Sequence, residues 1–344
     1  MNTSYNKHRF FIIVLTLSLW AGGALATIEA GKPTKLSPEL RPVRELFLLP
    51  DEKIDLAGAR LTIEKFFDPS LDIEASLEEI DRIVAEIRKM PRYGDSTEGR
   101  LNGMVQYLHV AGEWNGNRPY HYDFDDPLGT DRPRNSRLSN YLRTRTGNCV
   151  SMPILALIAG QRLGLDMSLS TAPLHLFVRL CDGGQFYNFE ATAGGLKADS
   201  SYMRELMITP QAVRNGVYLQ SLGKKQTLAV MLGELARHYS ESTRNSDFDK
   251  AFELTGLMLE HYPNYVAAMI IRGNTWRNIL HRDLKAFEAK RMRMTPPVRK
   301  HFDELLLRNL RWYEKAESLG WHEPPKDYDE RYLKMMREAR KNYE

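Results

Sequence analysis

Thr146-Gly147-Asn148-Cys149-Val150-Ser151-Met152-Pro153 runs directly into Ile154-Leu-Ala-Leu-Ile-Ala-Gly-Gln-Arg-Leu163. The second part is apolar on nearly all sides and predicts a buried helix, with Gly164 placed to cap its C-terminus. Pro153 has no amide hydrogen and is tolerated only in the first turn, so the helix starts at Cys149 or just after it. A thiol there faces free amides and the positive end of the helix dipole, both of which stabilise a thiolate.

A thiolate nucleophile needs a neighbouring base, and the base needs a third group to fix its tautomer. Downstream, Ala172-Pro-Leu-His175-Leu-Phe-Val-Arg179 and Phe186-Tyr-Asn-Phe-Glu190 read as two strands. Asp182-Gly183 between them predicts a two-residue hairpin turn. That turn places His175 opposite Glu190 on one face, with Asn188 opposite Phe177 as a further polar neighbour. A one-residue slip, with Gly184 joining the turn, would set Ala191 opposite His175 instead.

The other cysteine is Cys181. In an oxidising compartment two cysteines can form a disulfide, which is the reading that competes with a nucleophile. The two exclude each other. Cys181 lies six residues along the strand from His175, about 20 Å, and a disulfide needs Cα atoms within about 7 Å.

Upstream, Lys7-His8-Arg9, the apolar run Phe10 to Trp20 and Ala24-Leu25-Ala26 form a secretory signal with cleavage after Ala26. An uncleaved anchor is the competing reading, although the run is shorter than the ~20 residues that span a bilayer. A periplasmic or secreted location is expected, with no transmembrane segment after signal removal. Loss of Lys7 and Arg9 lowers the net charge from +4 to +2. That is too little to imply a nucleic-acid partner.

From Leu56 to Tyr107 the pattern is helical. Leu77, Ile80, Ile83, Val84 and Ile87 share a face, and Ser76 with Glu79 suggests a capping box. Glu113 to Arg137 reads as a polar, solvated loop. Its acids Asp123, Asp125, Asp126 and Asp131 lack the glycine and glutamate positions of a calcium loop. No metal or cofactor is expected, since the histidines show no ligand spacing.

Beyond Gln226 the chain is helical. Asp247 to Asn264 resembles the second helix and exit turn of a tetratricopeptide repeat, with Ala251 at the small position and Pro263 at the exit. A second unit begins at Tyr265 and runs through Gly273, and Pro297 follows Pro263 at the repeat period. An unrelated helical bundle is the alternative. Repeats of this kind offer a concave face to a protein partner.

Leu56 to Gly195 resembles the transglutaminase-like superfamily, related to papain-like thiol enzymes. It is closest to a bacterial branch whose core is followed by tetratricopeptide helices. The resemblance rests on Tyr120-His-Tyr-Asp123, Leu138 to Met152, Ala159-Gly-Gln-Arg-Leu-Gly-Leu165, Pro173-Leu-His175 and Glu190-Ala-Thr-Ala-Gly-Gly195. It implies an α+β fold in which a buried nucleophile helix packs on an antiparallel sheet, flanked by N-terminal helices and a C-terminal helical domain. The expected boundaries are 1–26 for the signal, 27–110 for the N-terminal helices and 111–215 for the core. A tetratricopeptide-like domain over 216–320 and a charged helix or tail over 321–344 complete the chain.

The family's nucleophile falls on Cys149, its base on His175 and its orienting carboxylate on Glu190, where most members carry Asp. Asn148, Asn188, Tyr120 and Tyr122 are the supporting candidates, the tyrosines as oxyanion donors. The implied activity is thiol-dependent acyl transfer on peptide or carboxamide bonds in the cell envelope, as a cysteine peptidase, amidase or transglutaminase-like enzyme. The alternative is a non-catalytic scaffold that binds an envelope protein through its helical repeats.

Overall fold

The computed structural model describes residues 37–343 except 128 and 243–245. The expected signal peptide lies outside these residues. Four helices come first: α1 (Arg41–Leu48), α2 (Leu56–Glu64), α3 (Ile73–Ile87) and α4 (Thr97–His109). The core follows, with β1 (His121–Tyr122), α5 (Leu138–Thr144), β2 (Thr146–Gly147), α6 (Ser151–Arg162), β3 (Asp166–Ala172), β4 (His175–Asp182), β5 (Gln185–Glu190) and β6 (Gly195–Lys197). Eight further helices are α7 (Asp199–Glu205), α8 (Pro210–Arg214), α9 (Lys224–Met231), α10 (Gly233–Glu241), α11 (Phe248–His261), α12 (Val266–Ala289), α13 (Pro296–Ser318) and α14 (Tyr328–Tyr343). The class is α+β, as the resemblance implied. None of the described helices is long and apolar enough to cross a membrane.

The sheet is antiparallel in the order β3-β4-β5-β6. Side chains alternate along β4, so its two faces meet different cores. Val178 and Leu180 join the main apolar cluster with Leu157 of α6, Leu61 of α2, Ile83 of α3 and Leu254 of α11. Phe177 joins a second cluster with Tyr202 of α7, Met269 of α12 and Trp312 of α13. The sheet is thus covered on both faces, with α6 on one side and C-terminal helices on the other.

The hairpin between β4 and β5 corrects the expected register. Its turn is Gly183-Gly184, closed by the Asp182–Gln185 pair. A turn of the expected type needs positive φ at both central residues, which glycine adopts without strain. Gly183 and Gly184 have φ of +57° and +82°, so Asp182 stays in the strand. Gly184 does join the turn, but the loop keeps two residues and each partner moves by two positions. Asn188 therefore pairs with Arg179, not Phe177. Extended one step past Val178–Phe189, the same register sets Glu190 opposite Phe177 and one diagonal away from His175. A shift of two preserves the face, so His175 and Glu190 still project together.

Other expectations need correction. The cap of α3 is Asp72, whose carboxylate accepts from the Ala75 amide, so Ser76 and Glu79 lie inside the helix. In the loop after β1, Asp123 and Asp126 are buried, not solvated. Asp126 accepts from the amides of Thr130, Asp131 and Arg132, and Asp123 accepts from the side chains of Arg132 and Asn135. Ala251 is buried in α11 and Pro263 follows that helix. The second unit departs from the repeat, since α12 continues unbroken for 24 residues and Pro297 opens α13. Gly273 makes no turn within α12. A Cβ there would sit 3.0 Å from the Tyr313 ring, so the glycine serves close helix packing.

Candidate active site

Cys149 lies in the turn that enters α6, two residues before the helix begins. Asn148 frames this turn: its side-chain oxygen accepts from the Val150 amide at 2.9 Å and from the Ser151 amide at 3.4 Å. Orphan amides at a helix start are satisfied in this way. Gly147 allows the approach, because a Cβ there would meet Ser151 Oγ and the Tyr141 ring at 2.6 Å. Asn148 and Gly147 are therefore positioning residues.

The Pro173-Leu174 turn brings β4 to the same point. Leu174 has φ +55°, a left-handed conformation that usually falls to glycine. Its carbonyl accepts from the Cys149 thiol at 3.6 Å. His175 follows immediately, which puts its ring next to the carbonyl that holds the Cys149 thiol, and the neighbouring sulfur is one cause of its raised pKa. His175 Nε2 lies 2.7 Å from Glu190 Oε2, with both side chains nearly buried. The bond to Glu190 uses Nε2, so Nδ1 is the nitrogen left for the sulfur.

Glu190 is held at both oxygens. Oε2 also accepts from the Tyr202 hydroxyl at 2.8 Å, while Oε1 accepts from Thr192 Oγ1 at 2.6 Å and the Thr192 amide at 3.2 Å. Tyr202 in turn stacks on Phe177 with ring centres 4.4 Å apart. Burial opposes charge on His175, but the Glu190 carboxylate, which accepts its ring hydrogen, and the neighbouring Cys149 sulfur outweigh it and raise the imidazole pKa to about 10. Burial likewise works against the Glu190 charge. The His175 ring and the bonds from His175, Thr192 and Tyr202 prevail, lowering its pKa to about 2. An ion pair of imidazolium and carboxylate is the favoured state.

The remaining candidates divide. β1 pairs with β2 in parallel, with Tyr122 against Gly147, which carries Tyr122 to the site. Burial and the nearby Cys149 charge raise the Tyr122 phenol pKa. Tyr120 points elsewhere, packing edge-on against Tyr141 and beneath Arg145. Asn188 donates to the Lys197 carbonyl at 3.0 Å and to Asp199 at 2.6 Å, so it ties β5 to β6 and α7. Cys149 and Cys181 are both free thiols.

Tyr202, Thr192 and Tyr332 were not legible as site residues. Thr192 had a local signal, a hydroxyl two residues beyond an acid, which is the spacing of a short side-chain turn. Tyr202 and Tyr332 had none, because tertiary packing alone brings them in.

A cysteine at the head of a helix packed on an antiparallel sheet, with histidine and carboxylate on that sheet, is the arrangement of a transglutaminase-like core. Residues 74–233 match the family model of the transglutaminase-like superfamily, and this part of the chain is a domain of that superfamily. Two proteins of Xylella fastidiosa described as UPF0162 are similar. That of strain Temecula1 is 23% identical over 251 residues, covering 70% of this chain and 84% of the relative. That of strain 9a5c is 23% identical over 242 residues, covering 67% and 80%. A solved structure titled "Crystal structure of menin reveals the binding site for Mixed Lineage Leukemia (MLL) protein" aligns with a TM-score of 0.43 and 16% identity, over 88% of this chain and 67% of that one. That last likeness is too distant to carry an inference.

Proposed function

We propose that this protein is a thiol-dependent acyl-transfer enzyme acting on peptide or carboxamide bonds in the cell envelope, with Cys149 as nucleophile, His175 as base and Glu190 as its orienting acid. The observation that carries the reading is the 2.7 Å bond between His175 Nε2 and Glu190 Oε2, made one residue along from Leu174, whose carbonyl accepts from the Cys149 thiol. Membership of residues 74–233 in a superfamily typically made of thiol enzymes supports it.

In this mechanism the proton of Cys149 already resides on His175, as its charged pairing with Glu190 implies, and the sulfur attacks the substrate carbonyl carbon as the thiolate. A carbon–sulfur bond forms and the carbonyl electrons move to oxygen. The Cys149 amide is one donor to that oxyanion, and the Tyr122 hydroxyl is the second. Collapse breaks the carbon–nitrogen bond, and His175 delivers its proton to the departing amine. Water, or an amine in a transfer reaction, then attacks the thioester, with His175 taking its proton and Cys149 leaving as thiolate. Glu190 holds the ring and stabilises its charged form throughout.

Alkylation by iodoacetamide near neutral pH, followed by peptide mass analysis, tests the nucleophile. Cys149 should react well ahead of Cys181, and His175→Ala should remove that advantage. Equal, slow labelling of both cysteines that ignores the His175 substitution would refute the reading. A fluorogenic peptide amide, hydrolysed by the wild type and not by Cys149→Ser, tests the acyl step.

A further inference from the structure

Helix α14 lies against Tyr122 and the loop that follows it, beside the Cys149 site. Tyr332 places its hydroxyl 3.3 Å from that of Tyr122. One turn on, Met336 packs against the apolar cluster that Cys149, Val150 and Leu176 also border. Near its end Arg340 reaches Asp125, in the loop that follows Tyr122, at 3.1 Å. At its start Tyr328 is buried. Residues 328, 332, 335 and 336 recur at helical spacing, so a single stripe of α14 faces the core.

We propose that the groove beside Cys149 is the substrate channel and that α14 occupies it as an intramolecular plug, so that substrate gains the site only when α14 lifts. This rests on the reading of Cys149 as the nucleophile and adds its regulation.

The hydrogen bonds explain the blockade. The Tyr122 hydroxyl donates to the Pro127 carbonyl at 3.1 Å. Its single proton is thereby committed, and the bond between the two phenols has Tyr332 as donor. The bond to Pro127 lies within its own loop, and what α14 adds is the Tyr332 hydroxyl, which fills the space beside the Tyr122 oxygen. Both phenols are buried and lie close enough to Cys149 for its negative charge to oppose their ionisation, in keeping with their shared pocket.

The seat is built to release. α14 hangs on residues 322–327, which carry no helix or strand and include Pro324 and Pro325. A cavity of about 220 Å³ remains between α7 and α14, bounded by Arg204 and Met207 on one side and by Tyr328, Tyr332 and Met335 on the other. The Arg340–Asp125 pair at the far end is about half exposed, 46% and 61%, and such pairs hold weakly. The natural occupant of the vacated groove is a protein segment with aromatic and methionine side chains at helical spacing, the chemistry that α14 itself presents.

The test uses full-length protein with Tyr332→Ala, Met336→Glu and the surface change Arg340→Glu. Iodoacetamide labelling of Cys149 is followed in each, with thermal melts to show that the fold is kept. A plug seated nine-tenths of the time suppresses the rate about tenfold, so Tyr332→Ala and Met336→Glu should label about tenfold faster than wild type, with Arg340→Glu between. A synthetic peptide of residues 322–344 should slow them again. In wild-type protein, hydrogen exchange should open α14 well before α6. Unchanged or slower labelling in folded variants, or exchange of α14 only together with α6, overturns the plug. Loss of His175 dependence in the fast variants would instead overturn the nucleophile.

Discussion

His175 and Glu190 meet at 2.7 Å from strand positions that are not directly opposed. Glu190 faces Phe177 in the extended register and reaches His175 along the diagonal. Diagonal neighbours lie about 7–8 Å apart at the backbone, within reach of a long side chain only. This gives a physical reason for a glutamate at this position, where the resemblance led us to expect aspartate. Glu190→Asp should therefore draw the carboxylate away from both His175 and Tyr202. A misplacement of about 1 Å can cost about a hundredfold, and a loss of that order in the Cys149 alkylation rate is expected.

Tyr202→Phe removes the hydroxyl that Glu190 Oε2 accepts and keeps the ring stacked on Phe177. A hydrogen bond to a charged group contributes about 1.5–3 kcal/mol. Urea denaturation should show a loss in that range. Turnover should fall with little change in KM, because Tyr202 acts through Glu190 and does not touch substrate. Thr192→Val should do the same to a lesser degree, since Oε1 is the oxygen remote from the ring.

The pH dependence of stability follows from the two shifts. His175 is raised from 6.5 to about 10, so its contribution is complete below 6.5 and is lost as pH climbs through 10. Glu190 is lowered from 4.5 to about 2, so its contribution is complete above 4.5 and is lost as pH falls toward 2. The pair therefore stabilises the fold most between pH 4.5 and 6.5. The difference in melting temperature between wild type and Glu190→Gln should be greatest in that window and shrink on both sides. A difference that grows above pH 8 would contradict the charged pair.

Gly147→Ala forces a methyl group into Ser151 Oγ and the Tyr141 ring. Overpacking of this kind costs about 1–3 kcal/mol. Because the clash lies two residues before Cys149, thiol reactivity should drop along with the melting temperature. A variant as stable and as reactive as wild type would show that the turn has room to spare.

Arg60 and Glu64 form a fully buried ion pair at 2.6 Å. Arg60 also donates to the Met231 and Ser136 carbonyls, and Glu64 accepts from the amides of Leu138 and Ser139 at the start of α5. Removing one partner leaves the other charge buried without compensation, at about 3–5 kcal/mol. Arg60→Met should lose stability on that scale in a urea titration, and Arg60→Met with Glu64→Leu should lose less than the two single changes added together.

Periodicity and turn chemistry carried much of this architecture to the surface of the sequence. Pro153 and Gly164 bracket α6 because a proline and a left-handed glycine have few places to go. The parity of a two-residue hairpin kept His175 and Glu190 on one face even though the turn slid by a residue. Asp182-Gly183 misled because Gly184, next along, lets both turn residues be glycine. Strand β3 was missed, although Met167, Leu169 and Thr171 alternate with polar neighbours as a strand should. Tyr202 and Tyr332 could not be found this way, since they reach Glu190 and Tyr122 from separate helices with no local pattern to betray them.

Glu64 caps α5 from 74 residues earlier in the chain, and α5 leads through Gly147 to Cys149. Until the first helices have docked, that carboxylate is absent and the approach to the sulfur has no fixed frame. The turn that carries Cys149 is therefore framed, through α5, by a carboxylate that belongs to the N-terminal helices.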